Sequence, residues 1–357
     1  MQEKITNYQI SLNETNVLKG LAICAMLFHH LFLDHRNYGI VNFKVALTCK
    51  VCVAIFVFLS GYGLSTQFEK LLGLESVNKP LLTLKFLARR YLKFYLNYWI
   101  VFAISVPLGV FVFGRGLSVP YGSDANILSS LLFDFLGLQG MKSYNITWWF
   151  NQLILTLYVF FPLLFVAMGR GLVGLSVLVL LFVWPSEILF PIESLCSPLS
   201  VYMFVFSLGI YFARHNGSVN KFLNKVHPKF LLGLSFVILG CLCYMRQNIV
   251  VQSFCGITVD PFITIFLVLF VVCLCRQFNL KMKFLTFVGK HSMNMYLLHT
   301  FVGAYFFSNF IYSFKYPLVI FAVQFGINLA LSVTLEFLKE KAKFYDLQTF
   351  LLGKLRF

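Results

Sequence analysis

Apolar runs of about twenty residues recur along the whole chain, and they restrict its fold more than any other feature. A hydrocarbon core about 30 Å thick is crossed by roughly 20 helical residues. Ten such runs lie near 18–34, 45–65, 92–113, 148–168, 171–189, 198–213, 229–246, 257–275, 292–311 and 316–337. None shows the alternation of a membrane barrel, and a segment in lipid must satisfy its own backbone N–H and C=O groups. The runs therefore read as helices, and the fold class as an all-α polytopic membrane protein with about ten transmembrane helices. Composition agrees: 59% of the residues are apolar and 12% charged, with 43 Phe. Soluble domains hold about half apolar and about a quarter charged residues.

With the N-terminus placed in the cytoplasm, most of the 29 Lys and Arg residues fall in cytoplasmic segments. That bias is the positive-inside signal, and ten spans then put both termini in the cytoplasm. The first 17 residues are polar and contain no apolar core ahead of a small-residue cleavage site, so no secretory signal is expected. Residues 1–357 read as a single integral-membrane domain, with 1–17 a polar cytoplasmic N-terminus and 338–357 a basic cytoplasmic tail. The longest outer connection, 114 to 147, contains SSLLFDFLGLQG, which reads as surface-lying or re-entrant. The net charge of +16 is spread between the apolar runs rather than gathered in a patch. It speaks for orientation in a bilayer and against a nucleic-acid partner. The nine Cys sit mostly in apolar runs, where a free thiol behaves as a small apolar group. Neither a disulfide framework nor a metal is expected.

Ionisable groups inside hydrocarbon are costly and mark function by default. The first run, LKGLAICAMLFHHLFLDH, holds Lys19, His29, His30 and Asp34. Lys19 and His30 are three helical turns apart, within about 20° on one face and roughly 16 Å along it. Asp34 is one turn beyond His30 on the same face. A carboxylate there holds an imidazole in one tautomer and makes it a better base. His29 points about 100° away and reads as the bystander. The bland alternative has Lys19 snorkelling to headgroups and the histidines bonded to carbonyls. In AIFVFLSGYGLS, Ser60, Gly61 and Gly63 let backbones approach, which favours helix packing and also leaves room for a ligand. Arg89, Arg90 and Lys93 precede the third span; they orient it, and guanidinium groups also pair bidentately with phosphate. Trp148 and Trp149 open the fourth span as interfacial anchors. Tyr296 and His299 share a face of the ninth.

Taken in order, these stretches resemble membrane-bound acyltransferase family 3, which includes O-antigen and other surface-polysaccharide O-acetyltransferases. Lys19 with ten residues before His30 looks like the family's basic-X10-His signature. FVFLSGYGLS is similar to its FFxxSGY segment and ARRYLKFYLNYW to its RRxxR-xxx-YW segment. TWWF…LYVFFP looks like its Trp-Phe…Tyr-xxx-Pro span, and VGKHSMNMYLLHT like its GxxSxxxYLxH close. The chain departs from many members at Ala54, at Leu96 and at WFNQLI, where they carry an acidic residue, a proline and WSxxxE.

The resemblance implies transfer of an acyl group, usually acetyl from acetyl-CoA, to a hydroxyl of a glycan or lipid-linked glycan in the bacterial inner membrane. Carried over, His30 is the catalytic base, with Lys19, Arg90 and Lys93 toward the CoA phosphates; Asp34 joins His30 by its place on the same helix face. Arg89, Ser60 and Tyr62 fall to the acyl-CoA side as well, and Trp148, Trp149, Tyr296 and His299 to the acceptor. The chemistry is compatible, since a sugar hydroxyl must lose its proton as it attacks a thioester and an imidazole titrating near neutrality suits that. The rival is a transporter or flippase of a lipid-linked glycan. Its marks are inverted repeats, broken helices and coupling carboxylates; neither of the first two is evident, and only Glu336 and Asp34 come near a span.

Overall fold

The structure is a computed structural model that describes residues 8–33, 38–73, 79–122, 126–183, 199–248 and 258–355. Among them there are helices and turns and no strands. In chain order the helices begin with α1 (Leu12–Phe32), α2 (Ile40–Cys49), α3 (Cys52–Leu72), α4 (Lys79–Phe111), α5 (Ser118–Tyr121) and α6 (Ile127–Phe135). There follow α7 (Trp149–Met168), α8 (Gly171–Val183), α9 (Leu199–Arg214), α10 (Asn216–Leu223), α11 (Pro228–Asn248) and α12 (Asp260–Gln277). The last are α13 (Lys283–Lys290), α14 (Ser292–Thr300), α15 (Ser308–Tyr312), α16 (Pro317–Lys341) and α17 (Phe344–Gly353).

Among the described residues seven stretches are long and apolar enough to cross a membrane: α1, Ile40–Leu72, α4, Ile146–Met168, α11, α12 and α16. The expected spans near 171–189 and 198–213 are occupied by the shorter apolar helices α8 and α9. The one near 292–311 holds α14 and a π-helical turn, Phe301–Phe306. Helix ends extend past the apolar runs. α1 starts at Leu12 because Ser11 and Glu14 form a capping box, each side chain bonding the other residue's backbone N–H. α4 starts at Lys79, so Arg89, Arg90 and Lys93 lie within the helix rather than in a loop before it. The basic tail is helical as well: it takes in the last residues of α16 and all of α17.

The described residues cluster into two compact units, one of Met1–Gln67, Leu163–Ser186 and Ser200–Ser292, the other of Phe68–Pro162, Glu187–Leu199 and Met293–Phe357. In the first unit helices meet backbone to backbone. A Cβ at Gly20 of α1 would land on the Leu285 carbonyl of α13, and one at Gly289 of α13 on the Asn16 carbonyl of α1. The same reciprocity joins α3 and α9, through Gly61 on the Phe206 carbonyl and Gly209 on that of Phe58. Such small-residue contacts are how helices pack where hydrocarbon gives no hydrophobic drive. Two buried carboxylates are paired there, Glu14 with Arg276 (2.7 Å) and Asp260 with Arg246 (2.8 Å). Both are acidic groups inside spans, which the sequence reading, limited to Glu336 and Asp34, passed over.

In the second unit side chains reach carbonyls. Helix α6 ends at Gly137, whose φ of +69° suits glycine. Its last carbonyls are taken by one face of α4: Tyr98 donates to Asp134 O (2.7 Å), Trp99 to Phe135 O (2.8 Å) and Tyr95 to Leu136 O (3.0 Å). The Tyr-x-x-Tyr-Trp of α4 thus caps α6. The Asp134 carboxylate, fully buried, accepts from Tyr121 Oη (2.6 Å) and the Tyr144 N–H (2.5 Å). Burial raises its pKa against those hydrogen bonds, which pull it down.

Candidate active site

Helix α1 carries Lys19, His29 and His30 on one uninterrupted helix, so their expected spacing holds in three dimensions. Lys19 is half-buried and His30 exposed. Ile23 and Met26, which lie between them on the same face, are buried. A lipid-facing stripe would leave those two open, so His30 sits at the accessible end of a covered face. Asp34 lies outside the described residues. His29 is buried and its Nδ1 meets the Ala46 carbonyl of α2 at 2.7 Å. A carbonyl only accepts, so Nδ1 carries the proton. The two rings stand edge to face, 4.9 Å apart. Two adjacent histidines therefore have different surroundings, one tied to a neighbouring helix and one presented at the surface.

Ser60 is half-buried on α3, and Tyr62 is buried with its hydroxyl accepting from the Ile10 N–H at 3.1 Å. The segment before α1 is held down at two more points. The Tyr8 N–H donates to Asn220 Oδ1 (2.6 Å), and Arg276 Nη2 donates to the Gln9 carbonyl (2.5 Å). Gly61, between Ser60 and Tyr62, serves helix packing.

In the second unit Arg89 and Arg90 are half-buried and Lys93 is exposed, all three on one stretch of α4. Arg89 Nη1 donates to the Leu352 carbonyl of α17 at 3.2 Å. The Arg90 guanidinium lies 5.3 Å from the Phe86 ring centre. Arg90 and Lys93 are three apart and so present adjacent charges, a spacing that fits a polyphosphate.

Trp148, Trp149, Tyr296 and His299 are all buried, and several of their polar atoms bond inside the unit. Trp148 Nε1 donates to the Leu297 carbonyl (3.2 Å). Tyr296 Oη reaches the Thr147 carbonyl (3.0 Å) and Asn151 Oδ1 (3.1 Å). His299 Nδ1 meets the Tyr296 carbonyl at 2.7 Å and Nε2 meets Thr300 Oγ1 at 3.2 Å. A run of hydroxyls continues from there: Thr300 Oγ1 to Thr147 Oγ1 (3.0 Å), then Thr147 to Asn145 Oδ1 (2.7 Å). Helix α14 is thereby joined to the segment that opens α7.

Sequence reading missed two polar centres of this unit. One is the Asp134 cluster, marked in sequence only by an acid within SSLLFDFLGLQG. The other is Lys339, read as part of the tail yet buried. Its ammonium donates to Asn97 Oδ1 (3.0 Å), Asn294 Oδ1 (3.0 Å) and Glu336 Oε1 (2.9 Å). Three donors meet three acceptors, so this charge is satisfied where it stands. Tyr345 bonds the other Glu336 oxygen. Among the described residues no three His, Cys, Asp or Glu side chains are grouped as metal ligands.

The fold and these placements define a class: a multi-pass, all-helical membrane protein with an accessible histidine on its first span. A family model described as an acyltransferase domain, that of acyltransferase family 3, matches residues 12–337. The chain belongs to acyltransferase family 3 and is a membrane acyltransferase. No curated protein and no solved structure matches it.

Proposed function

We propose that the protein transfers an acetyl or other short acyl group from acyl-CoA to a hydroxyl of a cell-surface glycan, free or lipid-linked, in the bacterial cytoplasmic membrane. The observation that carries this reading is the accessible His30 at the end of an otherwise buried face of α1, in a chain of this family. In the reaction the acceptor hydroxyl oxygen bonds to the thioester carbonyl carbon as its proton passes to an imidazole nitrogen of His30. The C–S bond breaks, the CoA sulfur leaves as thiolate, and the proton on the imidazolium neutralises it. Positioned acid–base catalysis of this kind contributes about 10²–10⁴-fold.

The CoA phosphates are assigned to Arg89, Arg90 and Lys93, with Lys93 the most accessible of them, and Lys19, Ser60 and Tyr62 to the donor as well. Asp34 is assigned to orienting His30. Trp148, Trp149, Tyr296 and His299 are assigned to the acceptor side, where buried rings with fixed hydrogen bonds act by shaping rather than by reacting. The topology proposed is ten crossings within one integral domain, with both termini in the cytoplasm.

The test is transfer from radiolabelled acetyl-CoA to a bacterial glycan by purified protein, comparing wild type with His30→Ala. Loss of about 10²–10⁴-fold in rate with CoA affinity retained is expected. A variant as fast as wild type sinks the assignment.

A further inference from the structure

Arg115 lies just beyond α4, at the end of that helix away from Arg89, Arg90 and Lys93, about 30 Å along the axis. Its guanidinium is 3.8 Å from the ring centre of Tyr305 and 5.3 Å from that of Tyr144. Nη2 donates to the Tyr144 carbonyl (3.2 Å), and the Tyr144 hydroxyl donates back to the Arg115 carbonyl (2.6 Å). The group is therefore fixed in place by two rings and a pair of hydrogen bonds. Nothing among the described residues neutralises it: no carboxylate forms an ion pair with it, and Nε is buried without a partner. The carboxylate that reaches the same tyrosine, Asp134, is already occupied by Tyr121, the Tyr144 N–H and Tyr98.

A half-buried cation without a counter-charge is costly, and an unsatisfied buried donor calls for an explanation. Both fit a position that is completed by a ligand. A guanidinium held beside two aromatic rings presents a rigid fork, the geometry that recognises carboxylate or phosphate. Exposed Phe113, two residues before Arg115, stacks on Phe306 with ring centres 4.1 Å apart, and the N–H of exposed Ile146 donates to the Tyr305 hydroxyl (3.1 Å). Apolar rings beside a fixed cation suit a ligand with one charged group on a body with C–H faces, as an acidic sugar has.

We propose that Arg115, with Tyr144 and Tyr305, is a subsite for an anionic oxygen group, carboxylate or phosphate, carried by the sugar acceptor. This rests on the glycan reading above and narrows it to acidic or phosphorylated saccharides. The test is binding by the purified full-length chain, read from intrinsic tyrosine and tryptophan fluorescence. The probes are trigalacturonate and glucose 1-phosphate, each against its neutral counterpart, the trigalacturonate methyl ester and glucose. Wild type should prefer at least one anion to its neutral counterpart by about tenfold, the scale of one charge-assisted fork. Arg115→Gln should erase that preference and Arg115→Lys should retain part of it. Equal binding of charged and neutral forms by wild type overturns the proposal even if the variants fail to fold, and so does a preference that survives in Arg115→Gln.

A lipid headgroup offers the same chemistry, so the titrations are repeated in nanodiscs of phosphatidylcholine with and without phosphatidylglycerol. Loss of the sugar preference only when phosphatidylglycerol is present assigns the site to lipid and overturns its role in the acceptor. The titrations are run without acyl donor and read binding alone, so failure here is distinct from failure of the acyl-transfer reading, which is read from transfer rates.

Discussion

Within each compact unit a different packing device stands out. In the first, glycines bring backbones together, reciprocally between α1 and α13 and between α3 and α9. In the second, long side chains reach across to carbonyls: Tyr95, Tyr98 and Trp99 to the end of α6, Trp148 and Tyr296 around α14. Glycine contacts use no polar side chain, and they fix the backbone of α1 at Asn16 and Gly20, three residues before Lys19 and one after it. Hydroxyl and indole contacts consume the polar atoms that make them. An exposed imidazole belongs to the first unit, while Trp148 and Tyr296 of the second are buried with their polar atoms in hydrogen bonds.

That contrast predicts a larger penalty for a methyl group in the first unit than for a lost hydroxyl in the second. Gly289→Ala forces its Cβ onto the Asn16 carbonyl, a backbone atom that cannot swing aside. Overpacking of this kind costs about 1–3 kcal/mol and sometimes more. Gly63→Ala, two residues past Gly61 and so turned to another side of α3, with open space around it, should be neutral or gain up to about 0.5–1 kcal/mol from helix propensity. Thermal melting of the purified protein separates them. Equal melting temperatures for the two variants would remove the glycine half of the comparison.

The sequence displayed the apolar runs, the alignment of Lys19 with His30 and the packing value of Gly61, because each depends on a local period or a residue type. It also separated His29 from His30 by helical phase alone. What it did not display depends on partners far along the chain. Glu14 looks like part of the polar N-terminus and Asp260 passes unremarked inside the run at 257–275 until Arg276 and Arg246 stand next to them. Lys339 looks like one cation of a basic tail until Asn97 and Asn294 complete its shell. The Tyr-Trp of α4 carried a family likeness in sequence, but its capping of α6 requires knowing where α6 ends. Helix boundaries were misplaced for a related reason: capping and tertiary support carry α1 and α4 beyond the apolar runs that signal them.

An intermediate effect is expected at Asp134. In Asp134→Ala the buried Tyr144 N–H loses its acceptor, which costs about 1–3 kcal/mol. Asp134→Asn should recover most of that. Its single carbonyl oxygen can take the place that accepts from Tyr121 and Tyr144, and its amide can face Tyr98, whose own proton goes to the main-chain carbonyl. The carboxyl also sets a sign. Its folded pKa is raised, so the stability it contributes is full below the unfolded value near 4 and is lost as pH rises through the folded value. Asp134→Asn should therefore flatten the part of the melting profile in which stability falls as pH rises above the unfolded value. A variant that is as unstable as Asp134→Ala, with the wild-type pH profile intact, would show that the cluster is not held as described.

The smallest effect should come from Tyr95→Phe. The hydroxyl is half-buried and donates one hydrogen bond of 3.0 Å to the Leu136 carbonyl, while the ring stacks on Trp99 at 5.1 Å. Phenylalanine keeps the stack, and a carbonyl near the end of α6 has water as a second choice. The expected loss is about 0.5–1.5 kcal/mol, the net worth of one hydrogen bond. Tyr98→Phe should cost more, since Tyr98 is fully buried and serves both the main chain and the carboxylate of Asp134. Measured side by side, the pair asks whether the second unit is stabilised bond by bond. A Tyr95→Phe loss as large as that of Gly289→Ala would mean that α6 is released as a whole when one cap goes, and that hydroxyl contacts are as cooperative as close backbone packing.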